Sequence, residues 1–329
     1  MTGRRHAGVL ALCLATLLAP LSSRGQSPDR IPRIGYLIVS PLVDPPTAER
    51  QAFLDGLREQ GYVVGRTITI EYRSAGWNRE LLPDLAAELV ERKVDAIVAA
   101  PGALEAARQA TRTIPIVFTG GADPVASGLV ASLARPGGNI TGMTFALPEM
   151  AGKRLALLKE AFPKASRIAV LWSPDNEGAS LDWQATQEAA RTLGIALQSL
   201  EVRDPKDFPA ALSAMTRSRP HALITFASAL TSAYRPIIVE FAKKQRLPTM
   251  FGLRADVEAG GLMSYSPNAA DAFRRAAYYV DRILKGTKPG DLPIERPNKF
   301  ELVINLKTVN ALRVEIPAPL MFRADQVVQ

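Results

Sequence analysis

Two hydrophobic periods alternate along the chain. "RIGYLIVS" (33–40) is an apolar run of strand length, and "TAERQAFLDGLREQGY" (47–62) follows with Phe53, Leu54 and Leu57 on one helical face and Gly61 as a stop. "TITIEYR" (67–73) is a strand, and "RELLPDLAAELVERK" (79–93) is a helix with Leu82, Leu85, Ala86 and Leu89 at 3–4 spacing. The strand "DAIVAA" (95–100), a helix over 102–113 and the strand "PIVFTG" (115–120) complete a first series. The rhythm restarts with "RIAVLW" (167–172), a helix near 179–193, "IALQSLEV" (195–202), a helix near 206–217, "HALITF" (221–226), a helix near 229–245 and the short strand "PTMFG" (248–252). Strand–helix alternation predicts parallel sheets with right-handed crossovers, and near-continuous apolar strands predict sheets buried on both faces. The expected fold is α/β: two doubly wound parallel-sheet lobes of similar plan, with no close repeat between them.

Between the two series lies "DPVASGLVASLARPGGNITG" (123–142), rich in glycine and directly after a strand. Such a stretch raises the question of a phosphate cradle, yet neither G-x-x-x-x-G-K-[ST] nor G-x-G-x-x-G occurs in the chain. It divides instead into a short helix, "VASGLVASLA", stopped by "RPGGN", and a strand, "ITGMTF", that leads into the helix "EMAGKRLALLKEAFP" of the second lobe. "EAGGLMSYSPN" ends that lobe, and an amphipathic helix over 267–285 returns to the first with Phe273, Ala277 and Val280 on its apolar face. Both double-glycine stretches are read as crossings between lobes, and "NIT" (139–141) as turn chemistry.

The first 25 residues are set apart. "MTGRRHAG" is basic, "VLALCLATLLAPL" is apolar but short for a membrane span, and small residues at Ser23 and Gly25 place cleavage before Gln26. The pattern is a signal peptide, with an N-terminal membrane anchor as the alternative. Arg4 and Arg5 leave Sec and twin-arginine export both open. Cys13, inside the apolar core, is badly placed for lipidation. Cleavage leaves no cysteine, and removing Arg4, Arg5 and Arg24 lowers the formal charge from +8 to +5.

The 329 residues are 47% hydrophobic and 22% charged, with no Lys/Arg run longer than a pair, so no basic footprint for nucleic acid is present. One histidine, His221, remains after cleavage, which excludes a Cys/His zinc site and leaves it as the sole candidate for a Ser-His-Asp triad. It stands at a strand entrance, opposite the carboxyl ends where chemistry gathers in parallel α/β folds. No metal or cofactor is expected. An envelope enzyme is disfavoured by this poverty of nucleophile and metal motifs. A sensor feeding a membrane receptor would use the same cleft as a transport protein.

"IPIVFTGGADPVASGLVASLARPGGNITG", "AGGLMSYSPN", "RRAAYYVDRILKGTKPGDLPIERPNKFELVINLKT" and "IPAPLMFRADQVV", in that order, resemble the tryptophan/tyrosine-type substrate-binding proteins of ABC transporters over essentially the whole mature chain. Ser266 and Asn298 stand where that family commonly has Gly and Thr. The resemblance implies a type I periplasmic-binding fold with a multi-strand hinge, a small-molecule solute such as an aromatic amino acid, a periplasmic location and an ABC permease partner in the inner membrane. The expected division is a first lobe of 31–145 plus 266–295, a second of 146–265, and a tail at 296–329 near the hinge. Two apparently complete cores predict a monomer. Ligands in such folds bind at the carboxyl ends of strands and between lobes. That rule nominates Ser40, Gly102, Thr119, Gly120 and Asp123 in the first lobe and Ser173, Asn176, Phe226, Ser228, Phe251 and Tyr265 in the second. Ser40, Thr119 and Ser173 offer neutral hydrogen bonds, helix N-termini after Pro101 and Asp123 offer N–H groups, and Phe226, Phe251 and Tyr265 offer rings for stacking. Trp172, at the end of its strand, is expected at the cleft rim, with Trp77 and Trp183 farther from the cleft floor.

Overall fold

The computed structural model describes residues 30–329 except 122, 126, 146–147 and 175–177, so the expected signal peptide with Cys13 lies outside the described residues. Five strands, β1 (Arg33–Ile38), β2 (Thr69–Ser74), β3 (Ala96–Ala99), β4 (Ile116–Thr119) and β5 (Ile140–Met143), form a fully parallel sheet in the order β2-β1-β3-β4-β5. Helices α1 (Ala48–Glu59), α2 (Leu82–Glu91) and α3 (Leu104–Ala110) connect the first four. The Thr47 hydroxyl caps α1 by accepting from the Arg50 N–H, and Ala52, Phe53 and Leu57 face the core.

The second lobe begins with α4 (Pro148–Ala161) and continues through β6 (Arg167–Trp172), α5 (Ala179–Leu193), β7 (Ala196–Glu201), α6 (Phe208–Ser218) and β8 (Ala222–Thr225). It proceeds through α7 (Ala229–Ala233), α8 (Arg235–Lys244), β9 (Thr249–Phe251), α9 (Arg254–Glu258) and β10 (Met263–Pro267). The helix expected over 229–245 is broken at Tyr234, because Pro236 in the first turn of α8 cannot donate back to the preceding turn.

After β10 the chain returns to the first lobe as α10 (Ala269–Leu284). The last segment carries β11 (Phe300–Asn305), α11 (Leu306–Leu312), α12 (Ala318–Phe322) and β12 (Gln326–Val328). Residues 296–329, expected as a tail, thus supply two strands to a seven-stranded sheet ordered β12-β11-β10-β9-β8-β6-β7, in which only the β10–β11 pair is antiparallel.

The described residues of the segment 125–134 are not helical. Gly128 takes φ +69, the Leu129 and Val130 N–H groups both turn back to the Pro124 carbonyl, and the Leu133 carbonyl accepts from Ile294 N–H at 2.7 Å. A backbone bond to a segment distant in sequence wins over local helix propensity here. The two double-glycine stretches lie one strand before the crossings: Gly137 N–H meets the Gly290 carbonyl at 3.3 Å ahead of β5, and Gly260–Gly261 make the turn into β10. The crossings themselves fall after β5, after β10 and just before β11.

Two contacts hold this region. α10 lays Ala272, Phe273, Ala276, Ala277 and Val280 against Ile34, Tyr36, Phe53 and Leu57 of the first sheet and α1. Gly56 permits the close helix approach, since a Cβ there would stand 2.7 Å from the Arg274 carbonyl. The third crossing is stitched to β5 by Thr144 N–H to the Glu295 carbonyl and Glu295 N–H to the Gly142 carbonyl, each 3.0 Å, and Glu295 is gripped by Arg275 at 2.6 Å. Gly142 has φ +141, and a Cβ on it would lie 2.1 Å from the Phe118 carbonyl oxygen.

Phe273→Ala is expected to cost about 3–5 kcal/mol in urea unfolding, as for other buried phenylalanines, and to loosen the first lobe although Phe273 follows the second in sequence. Gly142→Ala is expected to leave little folded protein, read as soluble yield and far-UV circular dichroism.

Candidate functional site

Three strand-end loops of the first lobe are tied into one surface. The Ser74 hydroxyl donates to the Ser40 carbonyl at 2.8 Å, Ala75 N–H to the Ile38 carbonyl at 2.9 Å and Trp77 N–H to the Val39 carbonyl at 2.8 Å. Arg79 Nη2 donates to the Gly102 carbonyl at 3.2 Å, joining the loop after β2 to the loop after β3. Ser40 and Gly102 are therefore brought together, with Gly102 open to solvent at φ +84. The helix after Pro101 begins only at Leu104, with no side-chain cap at Ala103.

At the hinge side of this face, Gly120 N–H donates to the Met143 carbonyl at 2.7 Å, and the Phe145 ring rests against Gly120 so closely that a Cβ would meet it at 2.8 Å. Thr119 is fully buried, and its hydroxyl has no hydrogen-bond partner. Asp123 accepts from Val125 N–H at 2.9 Å and stands 4.0 Å from Arg296 of the third crossing. No helix follows Asp123 among the described residues, so the expected N–H donors there come from a turn. A crevice of about 200 Å³ opens where the crossings meet, lined by Met143, Asn268, Asp271, Arg275, Glu295 and Arg296 among others.

In the second lobe, strand alternation decides which candidates remain available. Residues 168, 170 and 172 of β6 and 222, 224 and 226 at β8 share one buried face, so Phe226, 2% exposed, is a core residue rather than a free ring. Phe251, 1% exposed, fills the core on the other face. Trp172 is no rim residue either: it is 5% exposed, donates from Nε1 to the Ser199 hydroxyl at 2.8 Å and stacks on Trp183 at 5.7 Å and 13°. The Ser228 and Thr231 hydroxyls cap α7 reciprocally. Ser173 is buried, and Asn176 lies outside the described residues. Tyr265 is half-buried and packs at a tilt on Phe300, with ring centres 6.0 Å apart.

The Tyr265 carbonyl accepts from Arg154 Nε at 2.8 Å, which brings in two residues not among the candidates. Arg154 sits on α4, almost fully buried, and burial pushes its pKa down. Asp182, in the first turn of α5, is the nearby counter-charge. Burial raises the Asp182 carboxyl to about 6, with Arg154 pulling the other way. A sequence signal existed for both. Arg154 falls on the 3–4 stripe of Met150, Ala151, Leu155 and Leu158, and Asp182 on that of Ala179, Thr186 and Ala190; a charge on an apolar stripe needs a buried partner. His221 is far from this chemistry: at the strand entrance its Nδ1 accepts from Ser166 N–H at 3.0 Å.

Two parallel-sheet lobes joined by three crossings, with loops at the carboxyl ends of their strands, define a type I periplasmic-binding fold. Residues 38–328 match the family described as ABC transporter substrate binding protein, and the chain belongs to that family. It is 26% identical over 281 residues to a tyrosine-binding protein of Clostridioides difficile, spanning 84% of this chain and 80% of that one. Among solved structures, a conserved domain protein of Vibrio cholerae superposes with a TM-score of 0.84 at 26% identity, over 91% of this chain and 100% of the other. An ABC domain of Streptococcus pneumoniae in complex with L-Trp gives 0.83 at 24% identity with the same coverage. No helix among the described residues is long and apolar enough to cross a membrane.

Because the two indoles of the second lobe are stacked, their emission is coupled. The losses in Trp172→Phe and Trp183→Phe are expected to be non-additive in the double variant, whereas Trp77→Phe contributes independently. Steady-state fluorescence of the four variants checks this.

Proposed function

We propose that the protein is exported and captures an aromatic amino acid between its lobes for delivery to an ABC permease in the inner membrane. The observation that carries the ligand class is buried Arg154, bonded to the Tyr265 carbonyl, with the half-buried Asp182 carboxylate as its nearby counter-charge. This arrangement puts opposite charges in one poorly solvated place, as a zwitterion requires. Asp182 attracts the ligand ammonium group and Arg154 the carboxylate. Asp123 and the Ser40–Gly102 surface meet the ligand from the first lobe, and bending at the three crossings closes the lobes over it. The tyrosine-binding relative and the L-Trp complex support an aromatic side chain. The protein acts as a binding protein rather than an enzyme, because His221 lies at the strand entrance with a backbone N–H as its partner. Each lobe has its own core, in keeping with a working monomer.

Calorimetry with L-tryptophan, L-tyrosine and L-phenylalanine, with L-leucine as control, tests the reading. Saturable heat with at least one aromatic is expected, and heat with none of them overturns it. The pH dependence has a definite sign. Ionised Asp182 is the binding form, so affinity holds above about pH 6 and falls as pH drops below it. The bound ammonium favours the carboxylate and lowers its pKa in the complex, so the fall begins near the free protein's value and levels off only below the lower value of the complex. The limiting slope is about tenfold per pH unit. Asp182→Asn is expected to bind weakly and to lose this slope; an unchanged profile in that variant removes Asp182 from the site.

A further inference from the structure

Trp77 is held in a conformation that a bulky residue avoids. Its φ is +75, directly after Gly76 at φ +57, in the loop that leaves β2. The left-handed region crowds a Cβ against the backbone, so turns of this kind normally carry Gly, Asn or Asp. The neighbouring structure enforces it here. Trp77 N–H donates to the Val39 carbonyl, Asn78 N–H to the Ala75 carbonyl at 2.8 Å, and the Asn78 side chain accepts from Glu80 N–H at 3.2 Å. The residue is not taken into a core in return, being 39% exposed. Strain of this kind persists where a side chain has to be presented.

The aromatic inventory isolates the same residue. Trp172, Phe226 and Phe251, the strand-end rings of the second lobe, are consumed by its cores. Phe145 rests on Gly120, and Tyr265 is engaged with Phe300. Among the described aromatic residues only Trp77 and Phe322 are exposed, and Phe322 lies on α12, away from any strand-end loop. Position adds to this. β2 is the outer strand of its sheet, while the crossings leave from the β5 side, so Trp77 stands at the margin farthest from the hinge. Rotation about a hinge moves that margin most.

We infer that Trp77 is the aromatic lid of the binding cleft, closing over a flat, aromatic ligand when the lobes come together and setting preference for aromatic over aliphatic solutes. This rests on the reading that the ligand is an aromatic amino acid. The latch of Trp77 to Val39, with Ser74 bonded to Ser40 and Arg79 to Gly102, presents the ring from the rigid surface that carries the first-lobe candidates. Stacking then adds to whatever the charged pair in the second lobe contributes.

The test is calorimetry of wild type, Trp77→Gly and Trp77→Phe with L-tryptophan, L-tyrosine, L-phenylalanine and L-leucine, together with the thermal midpoint of each ligand-free protein. Glycine accepts φ +75 without strain, so Trp77→Gly is expected to keep or raise the ligand-free midpoint while weakening the aromatic ligand about tenfold. Trp77→Phe restores most of that loss. Trp77→Gly that binds as wild type does, within about twofold, overturns the lid while leaving the aromatic-ligand reading intact. So does a lowered midpoint with Trp77→Phe weakened as much as Trp77→Gly, since that marks a packing role. A wild type that gives no heat with any aromatic ligand fails earlier, at the ligand reading, and takes the lid with it.

Discussion

The packing of α10 across α1 holds the architecture together. α10 follows ten strands in sequence yet completes the core of the first lobe, burying Phe273, Ala276, Ala277 and Val280 beside Phe53 and Leu57. The close approach at Gly56 makes the contact dense, and burial of this apolar face supplies most of its stabilisation. Because α10 belongs to one lobe and β10 and β11, its neighbours in sequence, to the other, neither lobe is completed by one continuous segment. Three crossings are therefore unavoidable. The bonds between Glu295, Gly142 and Thr144 tie the third crossing to the first where it leaves β5.

The second lobe manages one buried charge and a half-buried one of opposite sign near this junction. A buried arginine is costly unless it is paired and hydrogen-bonded, and Arg154 has both the Tyr265 carbonyl and the field of Asp182. Asp182 carries the opposite strain, its carboxyl raised by burial. Charges placed this way are a poor stability device, and on the proposed reading they receive a ligand bearing both charges. The first lobe presents a different surface, in which the Ser40 and Gly102 carbonyls are held by Ser74 and Arg79 and Gly102 is exposed.

Much of the fold was legible because hydrophobic period and strand length act locally. The runs "RIGYLIVS", "RIAVLW" and "HALITF" became buried parallel strands, and the apolar face of 267–285 packed where its pattern pointed. The segment 125–134 was misread because its helical propensity is local while its partner, Ile294, is far away in sequence. The tail at 296–329 was misread for a related reason, since an edge strand is defined by the neighbour it finds. Within the candidate site, strand ends were placed correctly as positions, but not the direction of their side chains. Phe226 and Phe251 lost their role to the parity of β8 and β9, which turns both rings inward.

Composition and patterning by themselves determined the α/β class, the two-lobed plan and the absence of a nucleotide fingerprint, and of a cysteine–histidine metal set in residues 26–329. These depend on residue types and short-range periods. Tertiary structure alone decided that β11 and β12 extend the second sheet and that Trp172 stacks on Trp183 in the core. It also decided that buried Arg154 has Asp182 as its nearby counter-charge while Trp77 stays exposed in a strained turn. Those outcomes turn on which distant segments meet and which side of a strand or helix is left over, and one-dimensional patterning carries neither.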